Sequence, residues 1–435
     1  MKHNVIRLLI PILCAAVLFT GCASAQTANS GSAIPAGQAA NGENVAADTV
    51  IADVAVSSGA NGTAAEDTAS ESSASGEFSD AFSARDLSAE YDDEVISLEL
   101  TGSGAAASSG KVAVSGSNVV ITGAGTYLIS GTLQNGSVIV DADKDDKVQL
   151  VLNGVVIHSD TYAAIYVKQA DKVFITLAEG SQNTLSNGGS FTQQDDSNVD
   201  AVIFSKDDIT LNGTGSLTVE SPAGHGIVGK DEVTVTGGVY TVSAAKCAIR
   251  ANDSIAIADG TFTLTAGTDG LHAENDDDDT LGNIYISGGS FIIRVYDDAI
   301  HANTMLQIDG GSFDITGAEG LEATYIRING GDISVSASDD GVNAALKSAA
   351  YTPTVEINGG TLTIVMGSGD TDGIDSNGNL IITGGTVDIT GQSAVDYDGA
   401  GQYTGGVIII NGQQVGSLPN QMMGGGMMGG KYRRG

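Results

Sequence analysis

The sequence predicts an all-β solenoid, a parallel β-helix, and three observations carry that prediction. First, glycine pairs recur between about residues 200 and 390: Gly237-Gly238, Gly288-Gly289, Gly310-Gly311, Gly330-Gly331, Gly359-Gly360 and Gly384-Gly385. With Gly215 and Gly260 filling the long gaps, the repeat spacing is 20 to 29 residues, a period that belongs to solenoids. Second, the runs between glycines, such as "IYISGGSFII" and "LIITGGTVDI", are short, alternate apolar with polar, and favour Val, Ile and Thr. They read as strands, with no unit holding a helix of about ten residues. Third, one apolar phase recurs in successive units: Val202, Ile227, Ile249, Leu271, Ile300, Leu321, Val342, Ile374 and Val395. Stacking these residues buries what no single coil could bury alone.

The elements follow in chain order. Residues 1–22 carry Lys2 and Arg7, the apolar run "LLIPILCAAVLF" and then Thr20-Gly21-Cys22. This is the pattern of a lipoprotein signal peptide, with Cys22 becoming the lipidated N-terminus. The protein is therefore expected outside the cytoplasm, anchored as a lipoprotein to the outer face of the cell membrane. Residues 23–92 are mostly Ala, Ser, Gly, Thr, Asp and Glu, a composition that cannot offset its own ordering entropy and is expected to form a disordered tether. Residues 93–415 form the β-helix, a single domain, and the Met/Gly-rich tail 416–435 is expected to be disordered.

The chain has 53 acidic against 18 basic residues, a net charge of -35. That excludes nucleic acid as a partner and makes cations the natural ones. No apolar span follows the signal, and a monomer is expected. Of three cysteines, Cys14 leaves with the signal, Cys22 is the anchor and Cys247 stands alone on the coil motif, so no disulfide framework forms within one mature chain.

The acidic residues keep a phase. Immediately before the apolar column stand Asp269-Gly270, Asp298-Ala299, Glu319-Gly320, Asp340-Gly341 and Asp372-Gly373; immediately after it stand His272, His301, Glu322, Asn343, Asp375 and Asp396. Strict alternation would bury the leading carboxylates unpaired, at a cost too high to repeat, so the chain must bend at the following Gly or Ala and turn both ladders outward. Equivalent carboxylates then lie about 4.8 Å apart and repel by several kcal/mol. A hard divalent cation with oxygen ligands, Ca²⁺, is the expected counterion. Asp297 and Asp339 double the ladder, and Asp370 in an insertion adds a ligand, as do Asp278-Asp279. His272 and His301 stand on successive rungs, which supports at most a weak transition-metal or stacking role, and they are not assigned as ligands.

The stretch 125–186, "GTYLISGTLQNGSVIVDADKDDKVQLVLNGVVIHSDTYAAIYVKQADKVFITLAEGSQNTLS", followed by "DGLHAEND", "DDAIHAN", "EGLEA", "SDDGVNAA" and "DTDGIDSNG", resembles a clostridial-type family of carbohydrate-binding proteins. That family is similar in fold to pectate lyases, and its type member binds cellulose and polygalacturonate. The resemblance covers roughly residues 95–415. It implies a right-handed parallel β-helix with calcium at the Asp-Gly-hydrophobic positions. His225, Cys247 and Arg250 depart from the acidic pattern, which speaks against metal sites on those coils.

The expected function is binding of a polysaccharide, acidic and polygalacturonate-like or cellulose, rather than its cleavage. Two alternatives stand beside it. A calcium-dependent uronate lyase needs a basic residue to remove the α-proton. Arg250 lies on the trailing ladder, without Arg294 or Arg327 at the same corner. A structural stalk or adhesin would use calcium only to stiffen the stack. The chain has no Trp; Tyr285, Tyr296, Tyr325 and Tyr397 are the aromatics on or beside the ladder. Their scarcity points to an acidic glycan held through calcium.

Overall fold

The computed structural model describes residues 78–91, 94–368 and 371–420. The signal peptide, Cys22, the tether as far as residue 77, Asp370 and the tail beyond residue 420 lie outside the described residues.

The described chain is all β, and its strands stack in parallel register into three columns that run along one axis. A single coil shows the order. Thr261–Ala266 lies in one column, Leu271–Ala273 in the next and Asn283–Ile286 in the third, after which Gly288 and Gly289 return the chain to the first column at Ser290–Val295. The next coil repeats this one level up, with Phe262 beside Phe291, Leu271 beside Ile300 and Ile284 beside Leu306. Antiparallel pairing is confined to the ends, where Ala105–Ala107 folds on Ile96–Gly102 and Gln413–Val415 folds on Val407–Ile410, with a further hairpin at 112–121. Such hairpins cover edges that would otherwise template another chain.

The glycine pairs do what a corner requires. The second glycine of each takes a left-handed φ, for example +105° at Gly289 and Gly311, where a side chain would be strained. The residues that follow fill the interior: Tyr240, Phe262, Phe291 and Phe313 form a buried ladder of stacked rings, with centroids 5.2, 4.6 and 4.6 Å apart. Burying each such ring stabilises the fold by roughly 1.5–3 kcal/mol.

One register expectation is corrected. Ile203, not Val202, pairs with Ile227 and so heads the inner apolar column. Val202 belongs to an adjacent column of mostly small residues, Gly226, Ala248, Gly270, Ala299, Gly320, Gly341, Gly373 and Ala394, which also faces inward. A Cβ at Gly341 would stand 2.5 Å from Ile364, and one at Gly373 would stand 2.4 Å from Ile389. Two successive residues thus point into the core, and the alternation breaks at each of these corners.

Residues 78–91, which composition places in the tether, lie against the outer face of the third column. Asp86 is buried there, accepting a hydrogen bond from Thr210 Oγ1 at 2.5 Å and pairing with Lys172 at 2.8 Å. Arg85 donates to Gln149 at 2.7 Å and covers the Phe174 ring, and Phe78 stacks on Tyr285 at 4.8 Å. The strap is held by specific polar contacts that composition does not reveal.

A candidate cation-binding carboxylate ladder

The broken alternation explains the site. Because the Gly or Ala and the apolar residue after it both turn inward, the residue before them and the residue after them both face outward. The leading column runs His225, Cys247, Asp269, Asp298, Glu319, Asp340, Asp372 and Ser393; the trailing column runs Val228, Arg250, His272, His301, Glu322, Asn343, Asp375 and Asp396. The expected ligands among the described residues lie on these columns or beside them, with Asp297 and Asp339 exposed at the corner, except Asp278 and Asp279, which sit in the exposed turn after Leu271–Ala273, where Asp278 accepts from Thr280 within its own turn.

The ladder divides into two halves with different electrostatics. In the lower half, basic side chains pair with the acids. His272 Nδ1 is 2.9 Å from Asp269 Oδ2 and its Nε2 is 3.1 Å from Glu274 Oε2. His301 Nδ1 is 2.9 Å from Asp298 Oδ2 and 2.6 Å from Glu322 Oε2, and Lys347 Nζ reaches Glu322 Oε1 at 2.7 Å. Burial opposes a charge on His301, but its two carboxylate partners outweigh burial and hold its pKa well above the usual range. Burial likewise opposes the charge on Glu322, and His301 and Lys347 overcome it, keeping this carboxyl low. The His272 and His301 rings stack at 4.6 Å and 10°. Asp269 and Glu322 are therefore compensated from within the chain, whereas Asp298 shares His301 with Glu322 and is pushed up to about 6 by burial and the Glu322 charge; Asp297 joins Asp269 and Asp298 at the corner.

In the upper half the basic side chains run out. Among the described residues, none of Glu319, Asp340, Asp375 and Asp396 is in an ion pair. Burial, with the charges of Glu322 and Asp298, pushes Glu319 up to about 8. Burial, with Asp339 and Asp372 close by, pushes Asp340 up to about 6, and burial with Asp340 and Asp372 does the same to Asp375. Two buried oxygens of this half, Asn343 Oδ1 and Asp396 Oδ1, have no hydrogen-bond partner, nor has Thr371 Oγ1. Oxygen-only donors, mutual repulsion and orphaned acceptors fit a hard cation such as Ca²⁺. Glu319, Asp340 and Asp372 on one column, with Asn343, Asp375 and Asp396 on the other, are the residues that would hold it.

Sequence reasoning missed the compensating partners. The histidines were visible in "DGLHA" and "DAIHA", but their role depends on carboxylates one coil away. Lys347 comes from the insertion after Val342–Ala344 and carries no periodic signal. Cys247 is buried beside Asp269, and burial and that charge push its thiol up to about 12. Of the tyrosines, Tyr296 is 86% exposed and immediately precedes Asp297. Tyr285 and Tyr325 belong to the next column, hydrogen-bonded to Asp309 and Glu356, and Tyr397 packs against the core.

A family model described as carbohydrate-binding domain-containing protein matches residues 115–371, more than half of the chain. A carbohydrate-binding domain-containing protein of Acetivibrio thermocellus is 41% identical over 135 residues, 31% of this chain and 47% of its own. The chain thus spans about half the length of the curated relative it matches. A solved structure of the polysaccharide lyase-like protein from C. thermocellum, a gadolinium derivative, is 33% identical with a TM-score of 0.49, covering 55% of this chain and 94% of its own.

Proposed function

Because the chain belongs to the family of carbohydrate-binding domain-containing proteins, we propose that the upper ladder is its glycan-binding site and that calcium mediates the contact. The observation that carries this reading is that, among the described residues, Glu319, Asp340, Asp375 and Asp396 are in no ion pair and Asn343 Oδ1 and Asp396 Oδ1 are buried without a hydrogen-bond partner, beside acids that His272, His301 and Lys347 do pair with. When bound, Ca²⁺ supplies positive charge with open coordination positions, to which a uronate carboxylate can add. The chain's own residues fix the spacing of those positions along the coil axis, about 4.8 Å per rung. Tyr296, exposed beside Asp297 and Asp298, offers one ring face for a sugar. Polygalacturonate is accordingly the preferred ligand class over cellulose. The finer features of this reading are a right-handed helix, a clostridial-type relationship and attachment of the mature chain through a lipidated Cys22 at the outer face of the cell membrane.

A lyase reading is less well supported. Arg250, the residue it would use as base, pairs with Glu274 at 3.2 Å. It stands three rungs below Glu322, about 14 Å away along the axis. Arg294 pairs with Asp314 and Arg327 with Glu356 on other faces.

The test is binding of polygalacturonate with and without calcium. Binding should require calcium, and Asp340→Asn with Asp372→Asn should weaken it about tenfold or more while leaving the circular dichroism unchanged. Binding that persists in chelator and survives the double substitution would place the sugar elsewhere. Unsaturated products absorbing in the ultraviolet, lost in Arg250→Ala, would support the lyase instead. No affinity for any glycan would support the stalk.

A further inference from the structure

Cys247 occupies the leading position, which later rungs give to Asp269, Asp298, Glu319, Asp340 and Asp372. Its surroundings are built rather than vacant. Cys247 Sγ is 3.4 Å from Asp269 Oδ2 and 3.3 Å from Thr268 Oγ1, and His272 Nδ1 is 2.9 Å from the same Asp269 oxygen. Sulfur, oxygen and nitrogen all lie within 4.8 Å of one another. Around a tetrahedral zinc ion with bonds of about 2.0–2.3 Å, donor atoms are separated by roughly 3.3–3.7 Å. The sulfur–oxygen separation of 3.4 Å already falls in that range, and the nitrogen–oxygen separation of 2.9 Å is tenths of an ångström short of it. Cys247 and Asp269 are 4% and 6% exposed, so the donors are held by packing.

The far side of the imidazole is also arranged. His272 Nε2 bonds to Glu274 Oε2 at 3.1 Å, and Glu274 is fixed in turn by Arg250 at 3.2 Å. An imidazole aimed at the donor set through one nitrogen and tied to a carboxylate through the other is the outer-shell arrangement of a metal-ligating histidine. Hydrogen bonding alone does not account for the cysteine, since a thiol is the weakest donor that could stand there. A thiolate with an imidazole and a single carboxylate selects a softer ion than an oxygen-only set does.

We propose that Cys247, Asp269 and His272 form a separate site for a borderline-soft divalent ion of the zinc class, with Glu274 as a positioning residue. Coordination displaces the thiol proton and the Nδ1 proton of the His272 imidazolium, both of which leave to solvent while Nε2–H stays on Glu274, so binding releases two protons. A coordination position remains for water or a ligand atom. This site stands independently of the calcium reading, because its donors lie below Glu319 and differ in chemistry from the upper ladder.

The test is titration of the full chain, without a histidine tag, with Co²⁺ as a spectroscopic stand-in for zinc. A thiolate-to-cobalt charge-transfer band should appear in the near ultraviolet and saturate at one equivalent. Cys247→Ser should abolish the band, Glu274→Gln should weaken cobalt affinity about 10–100-fold, and Asp340→Asn with Asp372→Asn should leave both unchanged. X-ray absorption of the zinc-loaded wild-type chain, which needs no variant, should show a single sulfur neighbour. A wild-type spectrum without the band, a band that persists in Cys247→Ser, or a zinc shell without sulfur would overturn the proposal.

Discussion

Glu319→Gln separates the two roles that the upper ladder assigns to one carboxylate. Glu319 stands between Asp298 and Asp340 on the leading column and accepts a hydrogen bond from Asn343 Nδ2 at 3.1 Å. Burial and its acidic neighbours raise its pKa from 4.5 to about 8. In the metal-free fold the neutral form is therefore favoured, and the folded state binds more protons than the unfolded state between those two values. Stability from this group is fully present below 4.5 and is lost as the pH rises to about 8. At about 1.4 kcal/mol per pH unit, the loss approaches 5 kcal/mol before screening. Glu319 is half-buried, so about 2–3 kcal/mol is the working figure. Glutamine keeps the shape and removes the charge. In chelator at about pH 8.5, Glu319→Gln should melt higher than the wild type, and the two should converge as the pH falls toward about 4.5. In calcium the order should reverse. An ion at a hundred times its dissociation constant stabilises the fold by about 2.7 kcal/mol, and the variant forfeits part of that gain. The assay is a set of thermal melts across pH with chelator or calcium present. A variant less stable than the wild type in chelator at alkaline pH would refute the reasoning, because the charge would then be compensated by something other than a cation from solution. Identical behaviour in calcium and chelator would remove Glu319 from the ligand set.

Further outcomes follow from the same structure. Gly341→Ala places a methyl group 2.5 Å from Ile364 and from the Gly373 carbonyl; overpacking of this kind costs about 1–3 kcal/mol, visible as a lowered melting temperature. Asp86→Ala leaves Lys172, a largely buried partner, without its carboxylate, and limited trypsin digestion should then cut at Arg85 faster while the coils stay resistant. Tyr296→Ala should weaken polygalacturonate binding several-fold without moving the melting temperature, since the ring is 86% exposed. An unchanged affinity would mean that the sugar does not reach this corner.

The sequence by itself determined the repeat and therefore the architecture. Glycine pairs at positive φ, alternating strands and one apolar residue per coil are local features. Once identical units stack, the 4.8 Å register puts equivalent residues on top of one another, so the two outward ladders could be written down from the spacing of Asp-Gly-hydrophobic triplets. The tertiary structure decided what that spacing leaves open. Ile203 rather than Val202 heads the apolar column, because a corner that turns two residues inward shifts the phase by one. Residues 78–91, with the composition of a tether, are seated by Asp86 and Phe78 through contacts made with coils far away in the chain. The pairing of Asp269, Asp298 and Glu322 with His272, His301 and Lys347 also appears only in three dimensions. Charge pairing depends on distance and burial between coils and insertions, which one-dimensional order does not encode, whereas strand, corner and stack are fixed by the residues that form them.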